Sequence, residues 1–296
     1  MPRLLVLTAA VLFGTTGTAQ ALADLDGSPL AVGAARLLVG AALLLAAARL
    51  AGSAGAGSWS RTHLAAVAIG VAGYQLAFFA AVADTGVAVG TVVALGSAPA
   101  LAGLLGKLVD GTPLDRRWAA CTALATAGVL LLVLGAGGDA EVSPPGILLA
   151  LVAGGSYAAY TVASKRLLAD GHAPEEVMAR GFGLAAIALL PVLAVKGGDI
   201  ASTDGVLLAL YLGAIPTALA YVLFARGLKH LGAGETATLT LAEPLTAALL
   251  GVLILDERPG AVAIVGAALV LAGLAALAAP RRRTQATPLP TAELPA

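Results

Sequence analysis

The sequence predicts an all-α integral membrane protein in which ten transmembrane helices form two inverted five-helix repeats. Three observations favour this fold class. The 296 residues are 59% hydrophobic and 11% charged, with a mean hydropathy of +0.94, which excludes an ordinary soluble domain. Ten stretches are apolar over enough residues to cross a bilayer, which takes about 20 residues per helix. The two halves of the chain also align with each other.

The ten stretches fall into two groups. Seven contain no Asp, Glu, Lys or Arg, and they are 4–23, 62–83, 85–106, 118–138, 142–164, 205–225 and 259–280. Three contain one ionisable residue each, and they are 27–48 with Arg36, 177–195 with Arg180 and 236–255 with Glu243. The links are short and rich in Gly, Pro, Asp and Arg, which is typical of turns at a membrane surface.

The first stretch has a second interpretation, because Met1-Pro2-Arg3, an apolar run and small residues resemble a secretory signal peptide. We favour a helix that is retained, since this stretch has a counterpart in the second half of the chain.

The distribution of Lys and Arg over the links predicts the orientation in the membrane. With a cytoplasmic N-terminus, the inner side holds thirteen of them, namely Arg3, Arg49, Arg61, Lys107, Arg116, Arg117, Lys165, Arg166, Arg226, Lys229, Arg281, Arg282 and Arg283. The outer side holds Lys196 and Arg258. We therefore predict a multi-pass membrane protein with both termini in the cytoplasm, and a disordered cytoplasmic tail at 281–296.

The internal alignment uses an offset of about 145 residues. Residues 95–99 fall on 240–244, so that Pro99 matches Pro244, and one residue of shift brings Arg36 over Arg180. The proline, arginine and turn positions are the informative matches in so alanine-rich a chain.

The repeats are predicted at 1–138 and 139–280. Each holds five spans, and because five is odd the second repeat enters the membrane from the opposite side. Link charges are exchanged accordingly, with Asp24, Asp26 and Asp84 corresponding to Lys165, Arg166, Arg226 and Lys229.

Several of these features together resemble the EamA-type transporters of the drug/metabolite transporter superfamily, over essentially residues 4–280. They are the ten short spans in two repeats, the Ala-Arg in each second span, the late proline of each fourth span, and Leu-Ala-Glu-Pro-Leu at 241–245 followed by Asp-Glu-Arg-Pro at 256–259. The chain departs from the family in having Phe13 where a Trp is often found, and Ala98 opposite Glu243.

The resemblance implies an inner-membrane carrier with its cavity between the repeats, in a family that commonly exports amino acids, metabolites or drugs. We predict a secondary transporter that moves a small organic metabolite, such as an amino acid, an amine or a drug-like solute, by alternating access and proton-coupled export. An uncoupled facilitator and a non-transporting membrane scaffold are the alternatives. The expected partners are the solute, the lipid bilayer and protons, with a homodimer left open.

Glu243 is the first candidate for the solute or proton site. It lies near the middle of its span, where an acidic side chain costs about 2.5 to 3.5 kcal/mol on the insertion scale, so it should face water or a partner. The alternative is a neutral carboxyl group that hydrogen-bonds a neighbouring helix.

Pro99 and Pro244 are candidate helix breaks, since proline removes one backbone hydrogen bond from a helix. Paired weakened helices would then flank the cavity. A plain packing kink is the alternative at both positions.

Arg36 and Arg180 are predicted near opposite ends of their spans, one close to each mouth of a carrier. They could bind a substrate carboxylate or act as gate partners, because a guanidinium offers a bidentate fork. Alternatively, each extends to the nearest interface and holds lipid phosphate.

The remaining candidates are polar side chains inside spans, and those assigned to the solute site are Tyr74, Gln75, Tyr157, Tyr160 and Tyr221. Interhelical hydrogen bonding or interface anchoring is the alternative for each one. Glu175, Glu176 and Glu235 are predicted to lie in first turns, where acids suit the helix dipole.

The sequence argues against other functional classes. A neutral formal charge gives no nucleic-acid footprint, and the chain has no phosphate loop and no catalytic triad. The single cysteine, Cys121, and three scattered histidines leave little for a metal site. We therefore predict no enzyme activity, no cofactor and no metal. An intramembrane enzyme would need several converging catalytic groups, whereas the spans hold one acid.

Overall fold

A computed structural model describes residues 1–25, 27–52, 58–135 and 143–279. It contains ten helices long and apolar enough to cross a membrane, as predicted. They are α1 (Pro2–Ala23), α2 (Pro29–Leu50), α3 (Arg61–Val87), α4 (Val89–Asp110), α5 (Arg116–Gly135), α6 (Pro144–Ala169), α7 (Pro174–Lys196), α8 (Thr203–Leu228), α9 (Ala233–Ile254) and α10 (Ala261–Ala278).

Three predictions fall outside the described residues. They are the boundary between the repeats at 138 and 139, the tail at 281–296 with Arg281 to Arg283, and the link position Asp26.

Local sequence signals account for several helix starts. Proline occupies the first turn of α1, α2, α6 and α7, where its missing N–H would be unsatisfied in any case. Ser60 caps α3 by accepting a hydrogen bond from His63 N, and Ser202 caps α8 by accepting one from Gly205 N.

The turn between α3 and α4 corrects one predicted link. Asp84 was expected between spans, but it lies inside α3, and the turn instead centres on Gly86. Gly86 has φ 78°, a left-handed conformation that suits a residue without Cβ.

Successive helices run in opposite directions, so the bundle has two faces. The N-terminal face holds the starts of α1, α3, α5, α7 and α9 and the ends of α2, α4, α6, α8 and α10. Contacts between these ends include Arg3 with Glu235, and Arg166 with Asp110. At the opposite face, Gly135 at the end of α5 meets Ala263 at the start of α10.

The helix packing repeats between the two halves of the chain. The second spans, α2 and α7, pack on each other, and so do the fifth spans, α5 and α10. Likewise α1 packs on α8 and α9, just as α6 packs on α3 and α4. Two five-helix copies with an odd number of crossings are thereby related as inverted repeats.

Glycines bring α5 and α10 into close contact. A Cβ on Gly128 would lie 2.6 Å from Val270 N, and a Cβ on Gly266 would lie 2.3 Å from Leu132 N. Such small residues let two backbones approach closely inside a membrane.

Two helices lose regular α-helical geometry near mid-membrane. In α8, residues Ala214–Leu219 form a π-helical segment that contains Pro216. In α9, one helical segment ends at Leu239 and the next begins at Ala242. The corresponding helix α4 continues through Pro99.

Candidate functional site

The interruption of α9 places Glu243 at the start of a new helical segment. Leu241 N bonds Thr238 O at 3.1 Å and Glu243 N bonds Thr240 O at 2.9 Å, so single tight turns replace the regular ladder. Pro244 follows in the first turn of the new segment, where a missing N–H leaves no intrahelical bond unmade. The half-helix start is the geometry that many carriers use at their binding sites.

Glu243 lies at mid-depth, about 15 Å from each end of α9 at 1.5 Å per residue. Its side chain is half-buried, and within the described ranges it makes no hydrogen bond and no salt bridge. A carboxyl group at this depth without a protein partner is available to a proton or to a cationic group.

Helix α1 lies directly against the interruption. A Cβ on Gly14 would sit 2.7 Å from Glu243 O and 2.6 Å from Thr246 Cβ. Glycine at this position therefore permits the close approach of α1 to the start of the second segment of α9.

Arg36 lines a small central cavity of about 10 Å³, which has room for about one water molecule. The other lining residues are Leu37, Val71, Tyr74, Gln75, Tyr160, Phe182, Thr217 and Tyr221. Arg36 Nη2 donates to Gln75 Oε1 at 2.8 Å, and Gln75 Nε2 donates to Gly33 O at 3.3 Å. The buried Gln75 thus holds the guanidinium from one side and is itself held by α2.

Arg36 and Glu243 are side chains of opposite charge type, Arg36 from the first repeat and Glu243 from the second. Among the described residues no salt bridge joins them, and Glu243 is not one of the residues that line the cavity.

Aromatic rings bound the cavity on the side of the N-terminal face. Tyr160 and Tyr221 approach at 3.3 Å between their hydroxyl oxygens, and Phe182 packs on Tyr221 with ring centroids 4.3 Å apart. Phe13 packs on the same tyrosine at 4.9 Å. We name Phe13, Tyr160, Phe182 and Tyr221 the aromatic floor.

Tyr157 connects the aromatic floor to the interruption of α9. Its hydroxyl is 3.0 Å from Thr240 Oγ1, and its ring contacts Tyr160 at a centroid distance of 5.0 Å. The ring of Tyr74 lies 6.2 Å from that of Tyr157. Of the residues that the sequence predicted separately, the structure places Arg36, Tyr74, Gln75, Tyr160 and Tyr221 around the cavity. Tyr157 lies beside them, and Glu243 lies at the interruption of α9, outside the cavity lining.

Arg180 lies apart from the cavity. Its Nη2 forms a salt bridge with Glu176 at 2.7 Å, and its Cζ stacks 4.0 Å above the ring of Trp59. The two aligned arginines therefore have different surroundings, one in the cavity and one at the N-terminal face.

The sequence did not predict the partners of the acids in the first turns of α7 and α9. Glu175 and Glu176 do begin α7 and Glu235 does lie in the first turn of α9, but each also forms a salt bridge with an arginine. Two of the partners, Arg226 and Arg3, lie 51 and 232 residues away in sequence. The concentration of bases on one side of the membrane was the signal that acids on that side would be paired.

The sequence reading also gave no role to Phe182, which lies in the aromatic floor, although Phe13 was noted as a family difference. In the described part of the chain, no three His, Cys, Asp or Glu side chains cluster as metal ligands would.

The sequence matches known transporters along most of its length. The profile of the EamA-like transporter family matches residues 2–134 and again residues 144–279. The uncharacterized transporter YwfM of Bacillus subtilis is 41% identical over 285 residues, which cover 96% of each chain. An uncharacterized transporter of Archaeoglobus fulgidus is 35% identical over 129 residues, covering 44% of this chain and 46% of that protein.

A protein of known crystal structure shares the fold. Its TM-score is 0.79 at 24% identity, over 93% of this chain and 97% of that one. The ten crossing helices, their duplicated arrangement and the two profile matches lead to one conclusion: the chain belongs to the EamA-like transporter family, a branch of the drug/metabolite transporter superfamily.

Proposed function

We propose that this transporter exports a small organic solute from the cytoplasm by alternating access, in exchange for protons, and that Glu243 is the residue that binds the proton. The solute class extends over amino acids, amines and drug-like molecules. The protein acts in this proposal as a carrier without enzyme activity.

The observation that carries the proposal is the unpartnered carboxyl group of Glu243 at the interruption of α9. Ionisable residues in the membrane interior are expensive and mark proton or substrate pathways. Regular packing would leave such a group hydrogen-bonded to a neighbouring helix, whereas Glu243 makes no side-chain hydrogen bond or salt bridge within the described residues. Protonation would remove its negative charge and so alter how the site holds a solute.

Alternating access rests on the duplication. Two similar units of opposite orientation can exchange conformations, which gives an inward-open and an outward-open state of comparable energy. The solute site would lie between them, with Arg36, Tyr74 and Gln75 from the first repeat and Tyr157, Tyr160, Tyr221 and Glu243 from the second.

The orientation rests on the positive charges. The N-terminal face carries most of the Lys and Arg residues of the sequence, so it is assigned to the cytoplasm of a plasma (inner) membrane. Export then means movement from the N-terminal face to the opposite face.

The test has two stages. Metabolite profiling of cells with and without the protein names the solute through the compound class that accumulates. Purified protein in proteoliposomes is then given that solute and a pH gradient. We expect the gradient to drive solute movement in the wild type and to have no effect in Glu243→Gln.

Glu257→Gln is the matched control, because it changes the same functional group on an exposed side chain at the opposite face. It should transport like the wild type. Wild-type transport that is indifferent to the gradient would identify a facilitator instead, and full biological activity of Glu243→Gln would favour a scaffold.

A further inference from the structure

The ion pairs among the described residues are confined to one face. The four salt bridges among the described residues are Arg3–Glu235, Arg166–Asp110, Arg180–Glu176 and Arg226–Glu175. All four lie at the N-terminal face. At the opposite face, none of the described charged side chains forms a salt bridge, although Asp84 accepts a hydrogen bond from Ser143.

Among the acidic side chains of these four salt bridges, Glu175 at the start of α7 is the most buried. Glu175 Oε1 lies 2.6 Å from Arg226 Nη2, and the side chain of Glu175 is 9% exposed against 53% for Arg226. The pair joins the start of α7 to the end of α8, so these two helix ends cannot separate while it is intact.

The neighbouring residue extends the contact to the first repeat. Glu176 pairs with Arg180, and Arg180 stacks on Trp59 in the link before α3. Trp59 also stacks on His172 in the link before α7, with ring centroids 3.9 Å apart. We name Trp59, His172, Glu176 and Arg180 the stacked cluster.

The aromatic floor lies between this face and the cavity. Tyr221 and Phe182 are seven and eight residues from the ends of their helices at the N-terminal face, about 10 to 12 Å in depth. Arg36 is seven residues from the start of α2, which lies at the opposite face. The cavity therefore extends from the aromatic floor towards that face.

A separate hollow at the N-terminal face does not reach the cavity. Its walls go no deeper than Gly103 in α4 and Glu235 in α9. There the two helices meet, since a Cβ on Gly234 would lie 2.7 Å from Gly103 Cα.

The equivalent positions of the first repeat lack these charges. With the shift that aligns Arg36 with Arg180, Glu175 and Glu176 correspond to Ala31 and Val32, which are buried in an apolar cluster with Leu208 and Leu212. The N-terminal face is thus held by charges where its counterpart is held by apolar packing.

We propose that the Glu175–Arg226 pair and the stacked cluster form the gate of the N-terminal face, and that the structure is the conformation closed at this face. The proposal rests on transport by alternating access. Opening requires the start of α7 to leave α8 and to carry Glu176 and Arg180 away from Trp59.

The two tryptophans of the sequence, Trp59 and Trp118, supply the test. In a Trp118→Phe background, Trp59 is the only tryptophan, and its quenching by acrylamide reports its exposure in the purified full-length protein. We expect Glu175→Gln to raise the quenching constant by about twofold or more, because the open population increases.

Three further variants make the result specific. Arg226→Gln removes the half-exposed partner of the same salt bridge and should raise the quenching constant by the same factor. The charge-reversed double variant Glu175→Arg with Arg226→Glu should return the constant towards that of the background protein. Glu257→Gln should leave it unchanged.

Unaltered quenching in both Glu175→Gln and Arg226→Gln would overturn the gate. This readout needs no solute and no proton gradient, so it is independent of the transport assay. A failed gate with intact proton-driven transport leaves the proposed function standing, and the reverse outcome removes the proposed function alone.

Discussion

The fourth and ninth helices occupy matching positions in the two repeats and differ where the site lies. Both carry a proline, Pro99 in α4 and Pro244 in α9, yet only α9 is interrupted. Where α9 has Thr240, aligned Leu95 of α4 has an apolar side chain. Thr240 Oγ1 bonds Ala237 O and Tyr157, and so offers the backbone a partner outside the regular ladder.

The comparison teaches that the proline alone does not decide the break. Both helices have a hydroxyl group before the proline, but Thr240 of α9 also bonds Tyr157 on another helix, whereas Ser97 of α4 bonds Ala94 O of its own helix. The acid follows the same division, since α9 has Glu243 where α4 has the buried Ala98. The second repeat supplies the acid and the first supplies the base, Arg36.

The largest expected effect comes from moving the carboxyl group from α9 to α4. The double variant Glu243→Ala with Ala98→Glu keeps one acid at the same depth. We expect proton-driven transport to stay at the level of Glu243→Ala alone, because α4 has no interruption to present the acid. Recovery of transport would mean that the helix break is irrelevant to the site.

The second prediction compares substitutions of the two aligned arginines, Arg36 and Arg180. Arg36→Gln should lower the transport rate by about tenfold, equivalent to ~1.4 kcal/mol, because Arg36 is the only basic side chain among the described residues that line the cavity. Arg180→Gln should lower the transport rate less, since Arg180 belongs to the proposed gate and does not line the cavity. Initial rates in proteoliposomes compare the two, and equal losses would contradict the assignment of the site to Arg36.

A third prediction concerns the packing of the repeats on each other. Gly128→Val should lower the stability of the protein by about 1 to 3 kcal/mol, because its side chain would overlap the backbone of α10. Thermal unfolding in detergent measures the change. Gly17→Ala is the control, since nothing lies within 4 Å of a Cβ there, and it should unfold at or above the wild-type temperature.

The smallest expected effect comes from the hydrogen bond beside the interruption. Thr240→Val removes the contact with Tyr157 and should cost about 1 kcal/mol of stability. Thr246→Val, which loses only a bond to its own helix at Ala242 O, should cost less. Equal shifts in the unfolding temperature would show that Tyr157 does not support the interruption.

Much of the fold followed from the sequence because crossing a bilayer is a one-dimensional requirement. Length and apolarity are local, so ten helices could be predicted, and the odd number of spans per repeat fixed their relative orientation. Asp84 was misassigned to a link because apolar length does not define where a helix ends in the presence of a glycine turn at Gly86.

The site was predictable residue by residue but not as an arrangement. Glu243 and Arg36 are charges in apolar stretches and are therefore visible in the sequence. The separation of Arg36 from Arg180, and the pairs that Glu175 and Glu235 form, depend on helices distant in the sequence. The interruption at Leu239 to Ala242 depends on Tyr157 from another helix, which no local pattern indicates.

The central claim is that two five-helix copies lie in the membrane in opposite orientation, and side-specific labelling tests it most directly. In a Cys121→Ala background, single cysteines replace Ser28 in the link after α1 and Asp170 in the link after α6, which are equivalent links of the two repeats. A membrane-impermeant maleimide added to intact cells should label the cysteine at 28 at once and the one at 170 only after permeabilisation. Labelling of both from the same side would contradict the inverted arrangement and the carrier built on it.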